Sequence, residues 1–157
     1  MEIPIAEPDR EATRRSCEEL QAGFFADRAL IIAANRGPVT FEQGEDGVLE
    51  TQRGGGGLVT ALTGLCRYTD VTWIACARTE ADAEWRAGRV DLEDGAAVQM
   101  CFLSPDQAAY EGYYNVIANP LLWFLQHQMW NLPERPIIDA ATMRAWDRGY
   151  VPFNERV

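Results

Sequence analysis

Three short apolar segments constrain the fold of this chain more than any other feature. They are Leu30–Ala34 (LIIAA), Val71–Ala77 (VTWIACA) and Ala96–Leu103 (AAVQMCFL). Near-continuous apolar runs of this length, without regular alternation, are typical of strands buried on both faces of a sheet. Segments with helical spacing of apolar residues separate them. This alternation predicts right-handed crossovers and an α/β fold with a mainly parallel sheet.

The segments between the strands carry helix and turn signals. Helical spacing is present in Glu11–Ala26, in Leu58–Cys66 after a glycine run, and in a short segment that begins with Thr79 as its N-cap. The polar stretch Phe41–Gln52 contains an Asp-Gly pair, which indicates a hairpin. The sequence therefore predicts helices on either side of the second strand and a hairpin after the first.

The C-terminal third is predicted to be mainly helical. Ser104–Met129 indicates a long helix with Ser104 as its N-cap, proline at its first position and a break before Pro120. A linker containing two prolines follows, and then the start of a further helix. No internal repeat is present.

Charge excludes two classes of partner. The 157 residues include 24 acidic and 14 basic side chains, which gives a formal net charge of −10. Such a field repels nucleic acid and anionic lipid, so neither is expected to bind. The N-terminus lacks the apolar core of a signal peptide, and no apolar run has the roughly 18 residues of a membrane span.

The cysteines and the single histidine do not form a metal motif. Cys17, Cys66, Cys76 and Cys101 contain no CxxC pair, and His127 stands alone. The sequence therefore predicts no metal and no cofactor. Four reduced, mostly buried thiols are expected, as in a cytoplasmic protein.

A first candidate site combines Asn35–Pro38, at the end of the first strand, with Gly54–Gly57 at the start of a helix. Ligands of open α/β sheets lie beyond the carboxyl ends of the strands. Glycines let a phosphate approach the backbone amides at a helix start, and Arg36 supplies a bidentate fork. The pattern favours a sugar phosphate or nucleotide. The alternative is a flexible glycine turn with Arg36 paired to a surface carboxylate.

A second candidate site is a group of aromatic and amide side chains in the C-terminal third. Its members are Tyr113, Tyr114, Asn115, Asn119, Trp123 and His127. Four of them recur every four residues, so a helix would place them along one stripe. Aromatic and amide groups together suit a sugar. The alternative is a stripe that packs in the core, with His127 as a hydrogen-bonding residue.

Five motifs in a fixed order resemble the opening of the trehalose-6-phosphate synthase family, glycosyltransferase family 20. They are NRGPVTF, RGGGGLVTAL, VTWIACA, FLSPDQAAYEGYYNVIANPLLWFLQHQ and WDRGYVPFN. The resemblance spans about Ala29 to Asn154. It implies a retaining glycosyltransferase of trehalose biosynthesis, which moves glucose from a nucleotide-sugar, with UDP-glucose as the expected donor, to glucose 6-phosphate.

The resemblance also implies roles for individual residues. Arg36 matches the arginine that holds the phosphate of the acceptor. Gly56 and Gly57 match the glycines that face the donor diphosphate. Tyr114 and Trp123 match the aromatic pair that lines the glucose 6-phosphate pocket. No catalytic residue of the family falls within this chain.

Two positions depart from the family pattern. Phe124 and Gln128 stand where proline and tyrosine are usual, which leaves the shape of the acceptor pocket open. A glycerol phosphate or cyclitol acceptor is therefore an alternative to glucose 6-phosphate.

The family fold, GT-B, has two Rossmann-like domains with the active site between them. The resemblance implies that residues 29–157 form an incomplete N-terminal domain and that residues 1–28 form a helical leader. Such a fragment is expected to be inactive alone, and in a split enzyme its partner would be a separately encoded C-terminal half. The alternatives are a non-catalytic sugar-phosphate-binding module and a degenerate remnant.

Overall fold

The computed structural model describes residues 10–92 and 95–157. Within them the α-helices are α1 (Arg10–Phe25), α2 (Gly57–Thr63), α3 (Glu80–Trp85), α4 (Gln107–Tyr110), α5 (Trp123–Gln126), α6 (Ala140–Ala145) and α7 (Val151–Asn154). The strands are β1 (Leu30–Ala33), β2 (Val39–Gln43), β3 (Leu49–Arg53), β4 (Val71–Cys76), β5 (Ala87–Asp91) and β6 (Ala97–Leu103). A 3₁₀ turn, Gly64–Arg67, follows α2. The π-helices Glu111–Leu122 and Trp146–Tyr150 join α4 to α5 and α6 to α7.

The main sheet has the strand order β1-β4-β6-β5. The pairs β1–β4 and β4–β6 are parallel, with Leu30 opposite Val71 and Thr72 opposite Gln99. The three predicted strands match β1, β4 and β6 to within one residue. The predicted α/β, Rossmann-like fold with a mainly parallel sheet is therefore confirmed.

Two features of this sheet differ from the prediction. β1 is not buried on both faces, because it lies at the edge of the described sheet; Ile31 is 64% exposed and only Ile32 is buried. β5, which pairs antiparallel with β6, was not predicted. Its sequence AGRVD buries only Val90, so it carries almost none of the apolar signal by which a strand is recognised.

The predicted hairpin is confirmed. β2 and β3 pair antiparallel from Val39 opposite Arg53 to Gln43 opposite Leu49, and Gly47 in the turn has a φ of 78°. The side chain of Phe41 joins the hairpin to the main sheet. Its ring centroid lies 4.7 Å from that of Trp85 and 6.1 Å from that of Phe102. The two-stranded unit is therefore stabilised by packing on the core.

A buried carboxylate fixes the same contact. Asp82, on α3, is fully buried; Oδ1 accepts a hydrogen bond from the Phe41 amide at 2.7 Å, and Oδ2 accepts one from the Arg78 amide at 2.9 Å. Thr79 caps α3, as predicted, by accepting from the Asp82 amide, and its hydroxyl donates to the Phe41 carbonyl at 2.7 Å. Two of these four hydrogen bonds reach the backbone of Phe41 and so join the hairpin to the segment that leads into α3. The other two hold Asp82 and Thr79 in place.

The long helix begins and continues differently from the prediction. Asp106, and not Ser104, is its N-cap; the carboxylate accepts from the Ala109 amide at 2.8 Å. The helix does not break before Pro120, because the chain widens to a π-helix over Glu111–Leu122 and the proline lies inside it. An i→i+5 pattern changes which residues share a face.

Two glycines allow the C-terminal helices to pack closely. A Cβ at Gly149 would lie 2.8 Å from Gly112 Cα and 2.8 Å from the Tyr113 amide nitrogen. Both glycines are buried where the two π-helices meet. Beside them the rings of Tyr113 and Phe153 stack with centroids 3.7 Å apart. Glycine is required here by the approach of two backbones.

Three thiols lie in the described region, and the side chain of Cys17 lies outside it. Cys66 and Cys76 are buried, Cys101 is half-buried, and all three are free. Burial raises the pKa of Cys76 to about 11, although the charge of Arg78 acts in the opposite direction. In the part of the chain that the structure describes, no helix is both long enough and apolar enough to cross a bilayer.

We predict that Gly149→Ala destabilises the protein because the new methyl group has no space between the two π-helices. The expected loss is about 2 kcal/mol in the free energy of unfolding, measured by urea denaturation. The matched control is Gly64→Ala: Gly64 has helical dihedral angles and no atom within 4 Å of the place that a Cβ would take, so stability should stay the same or rise slightly. Equal losses in both variants would contradict the packing described here.

We also predict a loss of stability at alkaline pH that depends on Tyr113. Burial raises the pKa of Tyr113 from 10.0 to about 12, so the unfolded chain releases this proton first as the pH rises. The stability contributed by the neutral phenol is complete below pH 10 and is lost as the pH rises through about 12.

Tyr113→Phe should therefore flatten the fall in unfolding free energy over this pH window. The exposed Tyr68→Phe is the control and should keep the slope of the wild type. If the Tyr113→Phe slope equals that of the wild type, the burial of this phenol in the folded state is refuted.

Candidate functional site

A crevice of about 260 Å³ lies at the carboxyl end of β1. Its lining residues are Ala34, Asn35, Arg36, Gly55, Gly56, Gly57, Leu58, Val59 and Tyr114. The family resemblance assigns roles to five residues, and four of them line this crevice together: Arg36, Gly56, Gly57 and Tyr114. The fifth, Trp123, is not among the lining residues.

Close backbone contact brings the two loops of the crevice together. The Gly54 amide donates to the Pro38 carbonyl at 2.7 Å. A Cβ at Gly54 would overlap the carbonyl oxygen of Gly37, so a side chain cannot be accommodated. Gly56, which precedes α2, has a φ of 125°, a conformation that side chains disfavour. Gly54 is therefore fitted closely against the first loop, whereas Gly55 and Gly57 have open space where a Cβ would lie.

A hydrogen bond from a core side chain holds the backbone of Arg36 in place. The indole Nε1–H of Trp73, which is fully buried, donates to the Arg36 carbonyl at 3.1 Å. The Arg36 side chain itself is exposed. Among the described residues, no carboxylate pairs with its guanidinium group and no acceptor binds it. The alternative of a surface ion pair is thus not observed there.

Tyr114 is positioned by a contact between the long helix and the end of β1. Asn35 Nδ2 donates to the Tyr110 hydroxyl at 3.1 Å. The rings of Tyr110 and Tyr114 stack with centroids 5.7 Å apart and an angle of 19° between their planes. Tyr114 therefore forms a half-buried aromatic part of the lining of the crevice, which the glycines also line.

A second cavity adjoins the first and shares Arg36 and Gly55 with it. It measures about 280 Å³, and its charged lining residues are Arg36, Glu42, Arg53 and Arg78. Arg53 and Arg78 are not among the site residues predicted from the sequence. Arg78 follows the carboxyl end of β4 as Arg36 follows that of β1, so the same strand-end rule could have found it. We call this space the arginine cavity.

The predicted stripe of aromatic and amide residues lies on the exposed face of the long helix. Asn115 donates to the Glu111 carboxylate at 2.7 Å. Trp123 is 47% exposed, and its ring centroid lies 4.3 Å from that of His127, whose Nδ1 is 2.8 Å from the Trp123 carbonyl oxygen. The buried face of this helix carries Gly112, Ile117, Leu121 and Phe124 instead.

Metal-ligating side chains are scattered in the described region. None of its histidine, cysteine and acidic residues come together in a group of three or more that could hold an ion. The cavities are instead lined by arginine, hydroxyl and backbone groups, which suit an anion.

Comparison with known proteins identifies the group to which this architecture belongs. The family model "Glycosyltransferase family 20" matches residues 28–157. The chain is 35% identical over 144 residues to trehalose-6-phosphate synthase of Mycobacterium ulcerans, covering 91% of this chain and 27% of the relative. It is 33% identical over 103 residues to α,α-trehalose-phosphate synthase [UDP-forming] of Botryotinia fuckeliana, covering 65% of this chain and 19% of the relative.

A solved structure is also similar in part. The E. coli protein described as bound with UDP-2-fluoro glucose gives a TM-score of 0.49 at 17% identity, covering 81% of this chain and 23% of that one. The chain thus spans about a quarter of the length of the proteins that it matches. Since the family model covers most of its residues, the chain belongs to glycosyltransferase family 20.

Proposed function

We propose that this chain is part of the N-terminal, Rossmann-like domain of an α,α-trehalose-phosphate synthase. The reaction is the transfer of glucose, with retention, from UDP-glucose to glucose 6-phosphate. Family membership and the names of the relatives support the reaction class. The observation that carries the proposal is the meeting of Arg36, Gly56, Gly57 and Tyr114 in one crevice.

The acceptor side of the proposal rests on Arg36 and Tyr114. An exposed guanidinium group without a carboxylate partner can give a bidentate pair of charge-assisted hydrogen bonds to a phosphate. The half-buried phenol ring opposite offers an apolar wall for a sugar ring and a hydroxyl for its oxygens. A hexose phosphate presents both chemistries at once, whereas glucose presents only the second.

Trp123 extends this wall in our proposal. On an α-helix, residues nine apart lie on opposite faces, because nine residues make two and a half turns of 3.6. The chain between Tyr114 and Trp123 is a π-helix, which takes more residues per turn, so the same spacing completes about two turns. This geometry favours one face for both rings, and the exposed indole would contact the acceptor when the site is filled.

The donor side rests on Gly56 and Gly57. Without side chains, their backbone amides can approach a diphosphate directly, and α2 has no side-chain cap that competes for its first amides. Stabilising the leaving diphosphate is the electrostatic part of glycosyl transfer. The residues of this chain would hold and orient the two substrates. The opposite wall of the cleft would be formed by the part of the enzyme that corresponds to the rest of the relatives' length.

This proposal includes the domain boundaries and the compartment. Residues 29–157 would form the partial domain, preceded by a leader over residues 1–28; α1 lies in this leader, and its residues 1–9 are outside the described part of the chain. The reduced state of the buried thiols and the metabolic substrates fit the cytoplasm. A separately encoded C-terminal half is the partner expected if the enzyme is split.

We predict that the 157-residue chain binds glucose 6-phosphate weakly, with a Kd of about 1 mM, and glucose more weakly still. Arg36→Ala should abolish the preference for the phosphorylated sugar with almost no change in stability, since the side chain is exposed. Tyr114→Phe should weaken binding by about fivefold through the loss of one hydrogen bond. Amide shifts in NMR titrations measure all three. Equal shifts from both sugars would refute a phosphate site.

We also predict that the isolated chain has no transferase activity. Transfer requires donor and acceptor to be held in line between two walls, and these residues supply one. The measurement is the release of UDP from UDP-glucose in the presence of glucose 6-phosphate, with a full-length synthase as the positive control. Release above a blank would contradict the assignment of this chain to one side of the cleft.

A further inference from the structure

The arginine cavity carries more positive charge than a chain of net charge −10 would suggest. Three arginine residues, Arg36, Arg53 and Arg78, and one acidic residue, Glu42, line it. The carboxylate is engaged across the hairpin, where Glu42 Oε2 accepts from Gln52 Nε2 at 2.6 Å. The lining residues therefore include more arginines than carboxylates.

Two of these arginines are left without an acceptor. Within the described residues, neither Arg36 nor Arg78 makes an ion pair or a side-chain hydrogen bond. Both residues line one cavity, so their uncommitted donors are available to an anionic ligand there.

The main chain at both arginines is held by fully buried side chains. The indole of Trp73 donates to the Arg36 carbonyl at 3.1 Å, and the carboxylate of Asp82 accepts from the Arg78 amide at 2.9 Å. Trp73 and Asp82 are both 0% exposed. The positions from which the two guanidinium groups project are thus fixed before any ligand arrives, which lowers the entropic cost of binding an anion.

The position of the cavity specifies what it would bind. It continues the crevice, since Arg36 and Gly55 line both spaces, and a ligand that spans them needs an anionic end and a sugar end. The positive charges of Arg36 and Arg78 suit a phosphate monoester, which carries about −1.5 to −2 at neutral pH. The hydroxyl group of Thr40 adds a neutral donor to the lining, whereas that of Thr79 already donates to the Phe41 carbonyl.

We propose that the arginine cavity is a phosphate-monoester site in which Arg78 is a second arm opposite Arg36. The phosphate of the acceptor lies between the two guanidinium groups, and its sugar ring lies in the crevice beside Tyr114. This inference rests on the proposed function for the sugar, whereas the anion site itself does not depend on it. Arg78 then sets specificity for a phosphorylated acceptor over a neutral one.

The test is an NMR titration of the 157-residue chain with inorganic phosphate, glucose 6-phosphate and glucose. Arg78→Gln should raise the Kd of both phosphates about tenfold and leave the response to glucose unchanged. Arg78→Lys should fall between Arg78→Gln and the wild type, because it keeps the charge and loses the planar fork. The contact of Asp82 uses the backbone amide of residue 78, so unfolding by urea should be the same for all three proteins.

Arg89→Gln is the matched control. It removes the same charge at the other end of the sheet, where Arg89 lines a separate cavity with Thr69 and Asp70, just before β4 begins. The Kd of Arg89→Gln for phosphate should stay within about twofold of the wild type. If Arg89→Gln loses as much phosphate affinity as Arg78→Gln does, long-range charge explains both losses and the proposed site is overturned.

The outcomes separate this inference from the function proposed above. If Arg78→Gln binds both phosphates as tightly as the wild type while Arg36→Gln loses affinity for them, Arg78 is not a second arm of the site. That result would not contradict the proposed function. A phosphate affinity that falls in Arg78→Gln, with equal responses to glucose and glucose 6-phosphate in the wild type, would support the anion site and refute the sugar phosphate as its ligand.

Discussion

The carboxylate of Asp82 is the contact on which the arrangement of this chain depends. A buried carboxylate is costly unless its oxygens are hydrogen-bonded, and both oxygens of Asp82 accept from backbone amides, one in β2 and one before α3. These bonds hold the hairpin against the main sheet, where Phe41 packs on Trp85 and Phe102. Because β3 leads directly into the glycine run, the position of the hairpin also fixes where the glycines meet the end of β1.

Buried side chains thus position an exposed site. Trp73 and Asp82 contact the candidate site only through hydrogen bonds to its backbone. These bonds nevertheless fix the main-chain positions of Arg36 and Arg78. Gly54 has the same effect on the opposite loop, since its lack of a side chain allows contact with the Gly37–Pro38 backbone. The result is a groove of backbone and arginine groups on an acidic chain. Such a groove attracts an anion locally while the rest of the surface repels it.

Local patterns were sufficient for much of the fold. The parallel strands, the hairpin and the Thr79 cap follow from apolar runs and turn residues that act over a few positions. β5 could not be found in this way, because it buries one side chain and owes its pairing to β6. The π-helix was not predicted either, and it packs closely at Gly112 against Gly149, which is far away in the chain.

The sequence by itself determined the fold class, the family resemblance and four residues of the crevice, because strand ends and glycine runs have the same local chemistry wherever they occur. The tertiary structure alone decided that Arg78 joins Arg36, and that Arg53 reaches the same cavity from the hairpin. It also decided that Trp123 is not among the residues that line the crevice and lies exposed at the start of α5. These facts depend on distances between segments that are remote in sequence, and only packing sets such distances.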